Sequence, residues 1–171
     1  MSCADVFDTF PGLMYRLTTK LIREVFSTAT SKGHYLSSVT VRSMDCLLTR
    51  PDVPEQMIKM IESSGHRLDV WEEESVIPTT ELVRRIKGKK ALICTLSDQI
   101  DKKVLEAGSD LKVIATLSVG FDHINIDECK KRGIRVGNTP GVLTDATAEL
   151  TIALLLATSR RLVEASQELK A

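Results

Sequence analysis

Residues 111–124 read Leu-Lys-Val-Ile-Ala-Thr-Leu-Ser-Val-Gly-Phe-Asp-His-Ile, and the predicted architecture is built outward from them. The apolar run 113–117 is rich in β-branched residues and bounded by polar ones, which predicts a buried parallel strand. Ser118-Val119-Gly120 follows, and its small glycine would let a ligand come close to the backbone. Ligands of open parallel sheets bind beyond the carboxyl ends of the strands. The segment therefore predicts either an anion site of backbone N–H groups or a tight turn whose glycine only relieves crowding, and the residues alone favour the turn.

Strand-like and helix-like segments alternate from residue 44 onward, with short connections between them. The predicted strands lie at 44–49, 67–72, 90–96, 113–117 and 134–137. The predicted helices lie at 56–63 with Gly65 as a left-handed cap, around 80–86, after a cap at Asp101, at 127–132, and from about Asp145 to the end with Thr144 or Asp145 as cap. This alternation predicts the α/β class, as a doubly wound parallel sheet of the flavodoxin-like or Rossmann type. Right-handed crossovers would place helices on both faces.

The composition argues against several classes of partner. The chain has 171 residues, and its 23 basic and 23 acidic side chains cancel, so it lacks the excess positive charge of a nucleic-acid-binding protein. Its longest apolar segment, 146–157, is shorter than the roughly 20 residues that cross a bilayer. The four cysteines are far apart and form no C-x-x-C pair, so neither zinc nor a disulfide framework is predicted. Cys46 and Cys94 fall in strand-like runs, where buried, inert thiols are expected.

Residues 1–43 differ in composition from the rest of the chain. Between residues 14 and 43 there are five basic residues and one acid, with apolar residues at helical spacing, which is typical of a mitochondrial transit segment. Asp5 and Asp8 argue against that function, because transit segments are poor in acids. Two hypotheses stand: a transit segment with a mitochondrial location, or an N-terminal extension of a cytoplasmic protein.

Two predicted strand ends carry the candidate chemistry. Leu96 to Asp98 follow the third strand and residues 118–120 follow the fourth, so both groups should meet at one edge of the sheet. Their N–H groups could hold a small carboxylate. Asp122 and His123 suggest acid–base catalysis, but a lone histidine after a loop, without an identifiable partner, is more often a structural hydrogen-bonding residue.

A phosphoacceptor receiver domain is a competing interpretation, since it is also flavodoxin-like. Asp98 would then accept the phosphoryl group. That chemistry needs an acidic pair at the end of the first strand to hold Mg²⁺, which takes oxygen ligands. The chain has Thr49-Arg50 at that position, so the sequence disfavours the receiver interpretation.

Five sequence words occur here in the order and spacing of one enzyme family. They are Leu-Thr-Arg-Pro at 48–51, Leu-Ser-Asp at 96–98, the segment 111–124, Lys-Lys-Arg-Gly-Ile-Arg-Val-Gly-Asn-Thr-Pro at 130–140, and Thr-Asp-Ala-Thr-Ala-Glu-Leu-Thr at 144–151. With these words residues 44–171 resemble the N-terminal part of the D-2-hydroxyacid dehydrogenases, most closely the glyoxylate reductase/hydroxypyruvate reductase branch. The resemblance does not extend to residues 1–43.

The resemblance implies a substrate domain at 44–138, followed at 139–171 by the start of a dinucleotide-binding domain of the Rossmann type. It implies that the amides of Val119 and Gly120 bind the carboxylate of a 2-oxo acid, with Ser118 in the same site and Leu96 lining the pocket. Thr147 would lie near the nicotinamide. These implications favour the anion site over the tight turn.

The activity that the resemblance implies is the reduction of 2-oxo acids such as glyoxylate and hydroxypyruvate to 2-hydroxy acids. The cofactor would be NADPH or NADH, with no metal. The expected partners are this small acid substrate and a second copy of the chain, paired through the helix at 145–169. No nucleic acid or membrane partner is expected.

One feature of the family is missing from the chain. No G-x-G-x-x-G pattern occurs in the 171 residues, although that motif lets the backbone approach a pyrophosphate at a helix N-terminus. The family's catalytic Arg, Glu or Asp, and His would lie beyond residue 171, and Ala171 falls inside a predicted helix. We therefore expect a fragment of the complete enzyme, inactive alone. The alternative is a truncated isoform that binds or dimerises without catalysis.

Overall fold

A computed structural model describes residues 43–170 of the protein, so the hypotheses for residues 1–43 fall, except for Ser43, outside the described part. Five strands form one parallel sheet in the order β2-β1-β3-β4-β5. They are β1 Asp45–Leu48, β2 Arg67–Val70, β3 Ala91–Cys94, β4 Val113–Thr116 and β5 Arg135–Gly137. The strand order reverses beside β1, as in a doubly wound sheet, and the predicted fold class is confirmed.

Six helices connect or follow these strands in the described residues. They are α1 Glu55–Ser63, α2 Thr79–Arg85, α3 Lys102–Ala107, α4 Ile126–Lys131, α5 Thr144–Ser159 and α6 Leu162–Glu168. Side chains alternate across β3 and β4, because successive residues of a strand point to opposite faces. Leu92 and Ile114 pack in a core cluster with α2, α3 and α4, whereas Ile93 and Ala115 pack in a second cluster with α1.

The central strands and several helix caps follow the sequence prediction. Every residue of β3 and β4 is buried, as expected for continuous apolar runs covered on both faces. Asp101 accepts a hydrogen bond from the Val104 N–H at 3.1 Å and so caps α3. Gly65 has a φ of +81°, which confirms the left-handed cap predicted after α1.

The predicted single helix from Asp145 to the end is wrong. The structure has two helices there, α5 and α6, and Arg161 between them adopts a left-handed φ of +50°. The Ser159 hydroxyl donates to the Leu156 carbonyl at 3.0 Å, and such side-chain bonds compete with helical ones at a helix end. The predicted caps are wrong as well, because Leu143 occupies the N-cap position of α5 and makes no side-chain capping bond.

The chain divides into two compact units, one up to Thr139 and one from Pro140 onward. Their assignment as a substrate domain and the start of a cofactor domain stays a prediction. In residues 43–170 no helix is long and apolar enough to cross a membrane. In the same range no cluster of three His, Cys, Asp or Glu side chains could hold a metal ion. Cys46 and Cys94 are buried, as predicted.

Candidate functional site

The candidate site is the segment Ser118–Phe121, called the β4 loop, at the carboxyl end of β4. Its neighbour is the segment that follows β3, because the Leu117 N–H donates to the Cys94 carbonyl at 2.9 Å where the two strands end. Leu96 lies beside the loop, with its Cδ2 atom 3.9 Å from the position that a Cβ on Gly120 would take. Leu96 is 62% exposed although it is a large apolar residue. The two strand ends meet at one edge of the sheet, as predicted.

Three consecutive carbonyl groups of the β4 loop are held by hydrogen bonds within the first unit. The Ser118 carbonyl accepts from the Thr139 N–H at 2.9 Å, and the Val119 carbonyl accepts from Asn138 Nδ2 at 2.7 Å. The Gly120 carbonyl accepts from the Ser118 hydroxyl at 2.7 Å. The loop is therefore held by one hydrogen bond of its own, from Ser118, and by two from the segment that follows β5.

Each of these carbonyls shares its peptide bond with the N–H group of the next residue, and those three N–H groups make no hydrogen bond among the described residues. The peptide bonds of residues 43–170 are all trans, so the N–H groups of Val119, Gly120 and Phe121 each point away from the carbonyl before them. In the part of the chain that the structure describes, none of the three donates to another residue. Val119 is 37% exposed and Gly120 is half-buried, so solvent or a ligand can approach. Successive backbone donors of this kind can bind an anion.

Gly120 does not serve the turn that the residues alone favoured. Its φ is not in the left-handed region, and a Cβ built on it would meet nothing closer than Leu96 Cδ2 at 3.9 Å. No hydrogen bond from the Phe121 N–H to the Ser118 carbonyl closes the described loop into a turn. Neither backbone conformation nor internal packing explains the glycine, and the space above its backbone stays open.

His123 makes a buried hydrogen bond, and its structural rather than catalytic role stays a prediction. It is buried, and its Nε2 atom lies 3.0 Å from Thr116 Oγ1, which lies 2.6 Å from Ser118 Oγ. Burial lowers the pKa of His123, and the nearby carboxylates of Asp98 and Asp122 oppose that effect. Asp122 is exposed. A buried histidine that favours its neutral form suits a hydrogen-bond network better than acid–base catalysis.

Asp98, which follows β3, makes hydrogen bonds that the sequence did not predict. It is 2% exposed, and its Oδ2 atom accepts from Thr49 Oγ1 at 2.6 Å and from the Thr95 N–H at 2.8 Å. These bonds fasten the segment after β3 to the end of β1. The spacing of Thr95 and Asp98 is a signal that could have been used, because a short acidic side chain often bonds a backbone group a few residues away. A phosphate acceptor needs access, so the burial of Asp98 also argues against a receiver domain.

A cavity of about 290 Å³ opens beside the β4 loop in the first unit. It is lined by Phe121, Ile126, Cys129, Lys130, Ile134, Val136 and Asn138. Val119 and Gly120 do not line this mostly apolar space, whereas Phe121, the third residue with an unpaired N–H group, does. Thr147, predicted near the nicotinamide, lies in α5 in the second unit, where its N–H donates to the Leu143 carbonyl at 2.9 Å. Its role stays a prediction.

Comparison with known proteins places this sheet and loop in a family. The family model for the D-isomer specific 2-hydroxyacid dehydrogenase catalytic domain matches residues 46–171. The chain belongs to the D-isomer specific 2-hydroxyacid dehydrogenases. The family resemblance drawn from the five sequence words is thereby confirmed.

Curated relatives in the D-isomer specific 2-hydroxyacid dehydrogenase family are reductases by name. The glyoxylate reductase/hydroxypyruvate reductase of Homo sapiens is 49% identical over 131 residues, which cover 76% of this chain and 40% of that protein. The glyoxylate reductase of Thermofilum pendens is 58% identical over 116 residues, which cover 67% and 34%. The chain thus spans about 40% or less of the length of these relatives.

Solved structures agree with the family assignment. A protein from Thermus thermophilus matches with a TM-score of 0.69 and 44% identity, covering 72% of this chain and 39% of that one. The D-lactate dehydrogenase of Aquifex aeolicus, solved as a complex with NAD and lactic acid, matches with a TM-score of 0.59 and 27% identity, covering 74% and 37%.

Proposed function

We propose that this chain provides the carboxylate-binding substrate domain of an enzyme that reduces glyoxylate and hydroxypyruvate to 2-hydroxy acids. The observation that carries the proposal is the β4 loop, whose three carbonyls are bonded inward while the N–H groups of Val119, Gly120 and Phe121 are unpaired among the described residues. The names of the relatives supply the substrate class, since they are glyoxylate and hydroxypyruvate reductases.

The substrate carboxylate would bind to the N–H groups of Val119 and Gly120. The absence of a side chain on Gly120 leaves room for an oxygen atom to approach the backbone. Leu96 would cover the same position with an apolar surface that excludes water, which strengthens hydrogen bonds to a charged group. Ser118 would belong to the site through the Gly120 carbonyl that it holds. The work of these residues is to orient the 2-oxo group.

A nicotinamide cofactor, NADPH or NADH, would donate the hydride in the whole enzyme. The residues of this chain do not fit a dinucleotide by themselves, because no G-x-G-x-x-G pattern occurs among them and Thr147 is the one candidate contact. We therefore assign no step of the reaction to a cofactor held by these 171 residues. The expected metal content is none.

The first experiment measures NADPH consumption by the purified 171-residue chain with hydroxypyruvate and then glyoxylate, beside a full-length reductase as control. We expect no turnover above background, because these residues lack a dinucleotide fingerprint and a proton donor for the substrate. Turnover that survives controls for contamination would mean that the assignment of the chemistry is wrong.

The second experiment tests binding, with oxalate as a stable carboxylate probe. We expect ¹H–¹⁵N spectra of the chain to shift at Val119 and Gly120 as oxalate is added, with chloride at equal ionic strength as control. Shifts elsewhere, or none at these two amides, would contradict the proposed carboxylate site.

A non-catalytic, dimerising function is the second candidate, and α5 favours it. No side chain of α5 is buried, although most of its residues are apolar. The large exposed ones are Leu150, Ile152, Leu154, Leu155 and Leu156. A helix that is apolar on all sides is usually buried. Sedimentation of the chain tests this second candidate, which requires a dimer whether or not oxalate binds, and a monomer would exclude it.

A further inference from the structure

Beneath the β4 loop lies a line of buried side chains. His123 Nε2 is 3.0 Å from Thr116 Oγ1, Thr116 Oγ1 is 2.6 Å from Ser118 Oγ, and Ser118 Oγ is 2.7 Å from the Gly120 carbonyl oxygen. The three residues are 8%, 0% and 2% exposed. We call this line the loop relay. Each member is hydrogen-bonded to the next, in buried surroundings where the loss of a partner is costly.

The direction of the loop relay follows from counting protons. A carbonyl oxygen can only accept, so the one hydroxyl proton of Ser118 goes to Gly120. Thr116 must then donate its own proton to Ser118. With that proton used, Thr116 can only accept from the histidine, so His123 carries a proton on Nε2.

The other ring nitrogen of His123, Nδ1, carries no proton in this arrangement. Its Nδ1 atom is buried and has no partner among the described residues, so a proton there would be an unsatisfied buried donor. The carboxylates of Asp98 and Asp122 raise the pKa of His123, and burial, which lowers it, has the larger effect. The neutral, Nε2-protonated form is therefore the one that the site stabilises.

We infer that His123, Thr116 and Ser118 are positioning residues for carboxylate binding, an inference that rests on the proposed function. By fixing the Gly120 carbonyl, the loop relay fixes the plane of the peptide that joins Gly120 to Phe121. The N–H of Phe121 is thereby aimed away from Ser118, as a third donor next to those of Val119 and Gly120. Ser118 acts through the backbone, because its only proton is already donated to Gly120 and none remains for a ligand.

The first test needs no ligand and uses the chain labelled with ¹⁵N in its histidines. We expect the ¹⁵N spectrum to show His123 protonated at Nε2 and bare at Nδ1 near neutral pH. Thr116→Ser keeps the hydroxyl and should keep that tautomer. Thr116→Val keeps the shape but removes the hydroxyl, so the preference for Nε2 should weaken. A wild-type His123 protonated at Nδ1, or tautomers unaffected by Thr116→Val, would overturn the relay.

The second test is oxalate affinity, read from the amide shifts of Val119, Gly120 and Phe121. We expect Thr116→Val to weaken oxalate binding about tenfold, the loss that corresponds to one well-placed hydrogen bond. Thr116→Ser should stay within about threefold of wild type, since it retains the donor. Should Thr116→Val not fold, Ser118→Ala removes the last bond of the relay and is expected to give a similar loss.

The outcomes separate this inference from the proposed function. Equal oxalate affinity in wild type, Thr116→Val and Ser118→Ala would overturn the positioning role while leaving the carboxylate site in place. A wild-type chain that does not bind oxalate at these amides would overturn the carboxylate site, and the positioning role with it. A shift of the Phe121 amide in wild type that disappears in Ser118→Ala supports both.

Discussion

At the scale of single residues, glycines that look alike in the sequence do different work. Gly133 has a φ of +67°, where other residues are strained, whereas Gly120 is not left-handed and has open space above its backbone. Conformation thus explains Gly133, whereas for Gly120 we propose that access for a ligand is the reason. Sequence alone did not separate these cases, because a glycine after a strand fits a turn as well as a binding loop.

Alanine substitutions test this difference. Gly133→Ala should lower the free energy of unfolding by about 1 kcal/mol, since it places a Cβ on a left-handed residue. Gly120→Ala should change it by less than about 0.5 kcal/mol, but should weaken oxalate binding about tenfold by occupying the approach to the backbone. Urea unfolding followed by fluorescence of Trp71, the one tryptophan of the chain, gives the stabilities. Unchanged oxalate affinity in Gly120→Ala would contradict the assigned role of Gly120.

The two described histidines predict a pH dependence of stability. Burial lowers the pKa of both His66 and His123, so the folded chain takes up their protons at lower pH than the unfolded chain, whose histidines titrate near about 6.5. Their neutral forms stabilise the fold fully above that pH, and the contribution is lost as the pH falls through the lower folded values. We expect the urea midpoint to fall as the pH is lowered from about 7.5 to about 5.5. A midpoint that rises over this interval would show that the sign is wrong.

At the scale of elements, the apolar patterns predicted the strands but overestimated their lengths. The third strand was predicted at 90–96, whereas β3 ends at Cys94. There the chain turns so that the Asp98 carboxylate can accept from the Thr95 N–H and from the Thr49 hydroxyl, directly after β1. Hydrophobic periodicity gives no information about a hydrogen bond between residues 49 positions apart. The end of β3 at Cys94 could therefore not be predicted from it.

The loop relay shows a missed signal of a different kind. Thr116 and Ser118 are two residues apart at a strand end, so they share a face and can bond each other. The sequence does not identify a hydrogen-bond partner for His123, because its pattern places Thr116 simply in the interior of a strand. A polar residue inside an otherwise apolar strand was the available hint.

Asp98 offers a prediction at the scale of elements, because it joins the ends of β1 and β3. Asp98→Ala should cost about 2 to 4 kcal/mol of unfolding free energy, since the Thr49 hydroxyl and the Thr95 N–H lose their buried acceptor. Asp98→Asn keeps one oxygen acceptor and should cost clearly less. Urea unfolding of the two variants provides the comparison. Equal losses would mean that the negative charge, rather than these hydrogen bonds, stabilises the strand ends.

At the scale of the whole molecule, α5 contrasts with the helices that cover the sheet. Buried side chains of α1, such as Met57 and Ile61, lie on one face and enter the core. The described α5 has apolar residues on all sides and no buried side chain. Large exposed apolar surfaces mark interaction sites, and the exposed side chains of α5 form such a surface.

We therefore expect the 171-residue chain to self-associate through α5. Leu155 is 64% exposed, and Leu155→Glu places a charge within this apolar surface, where burial in an interface would be costly. Sedimentation should show concentration-dependent dimers or larger species for wild type and a shift toward the monomer mass of 18.9 kDa for the variant. Gln167→Glu adds the same charge on α6 and serves as the control, with association like that of wild type. A wild-type chain that sediments as a monomer at high concentration would exclude α5 as a self-association surface, and the exposed leucines would then need a different partner.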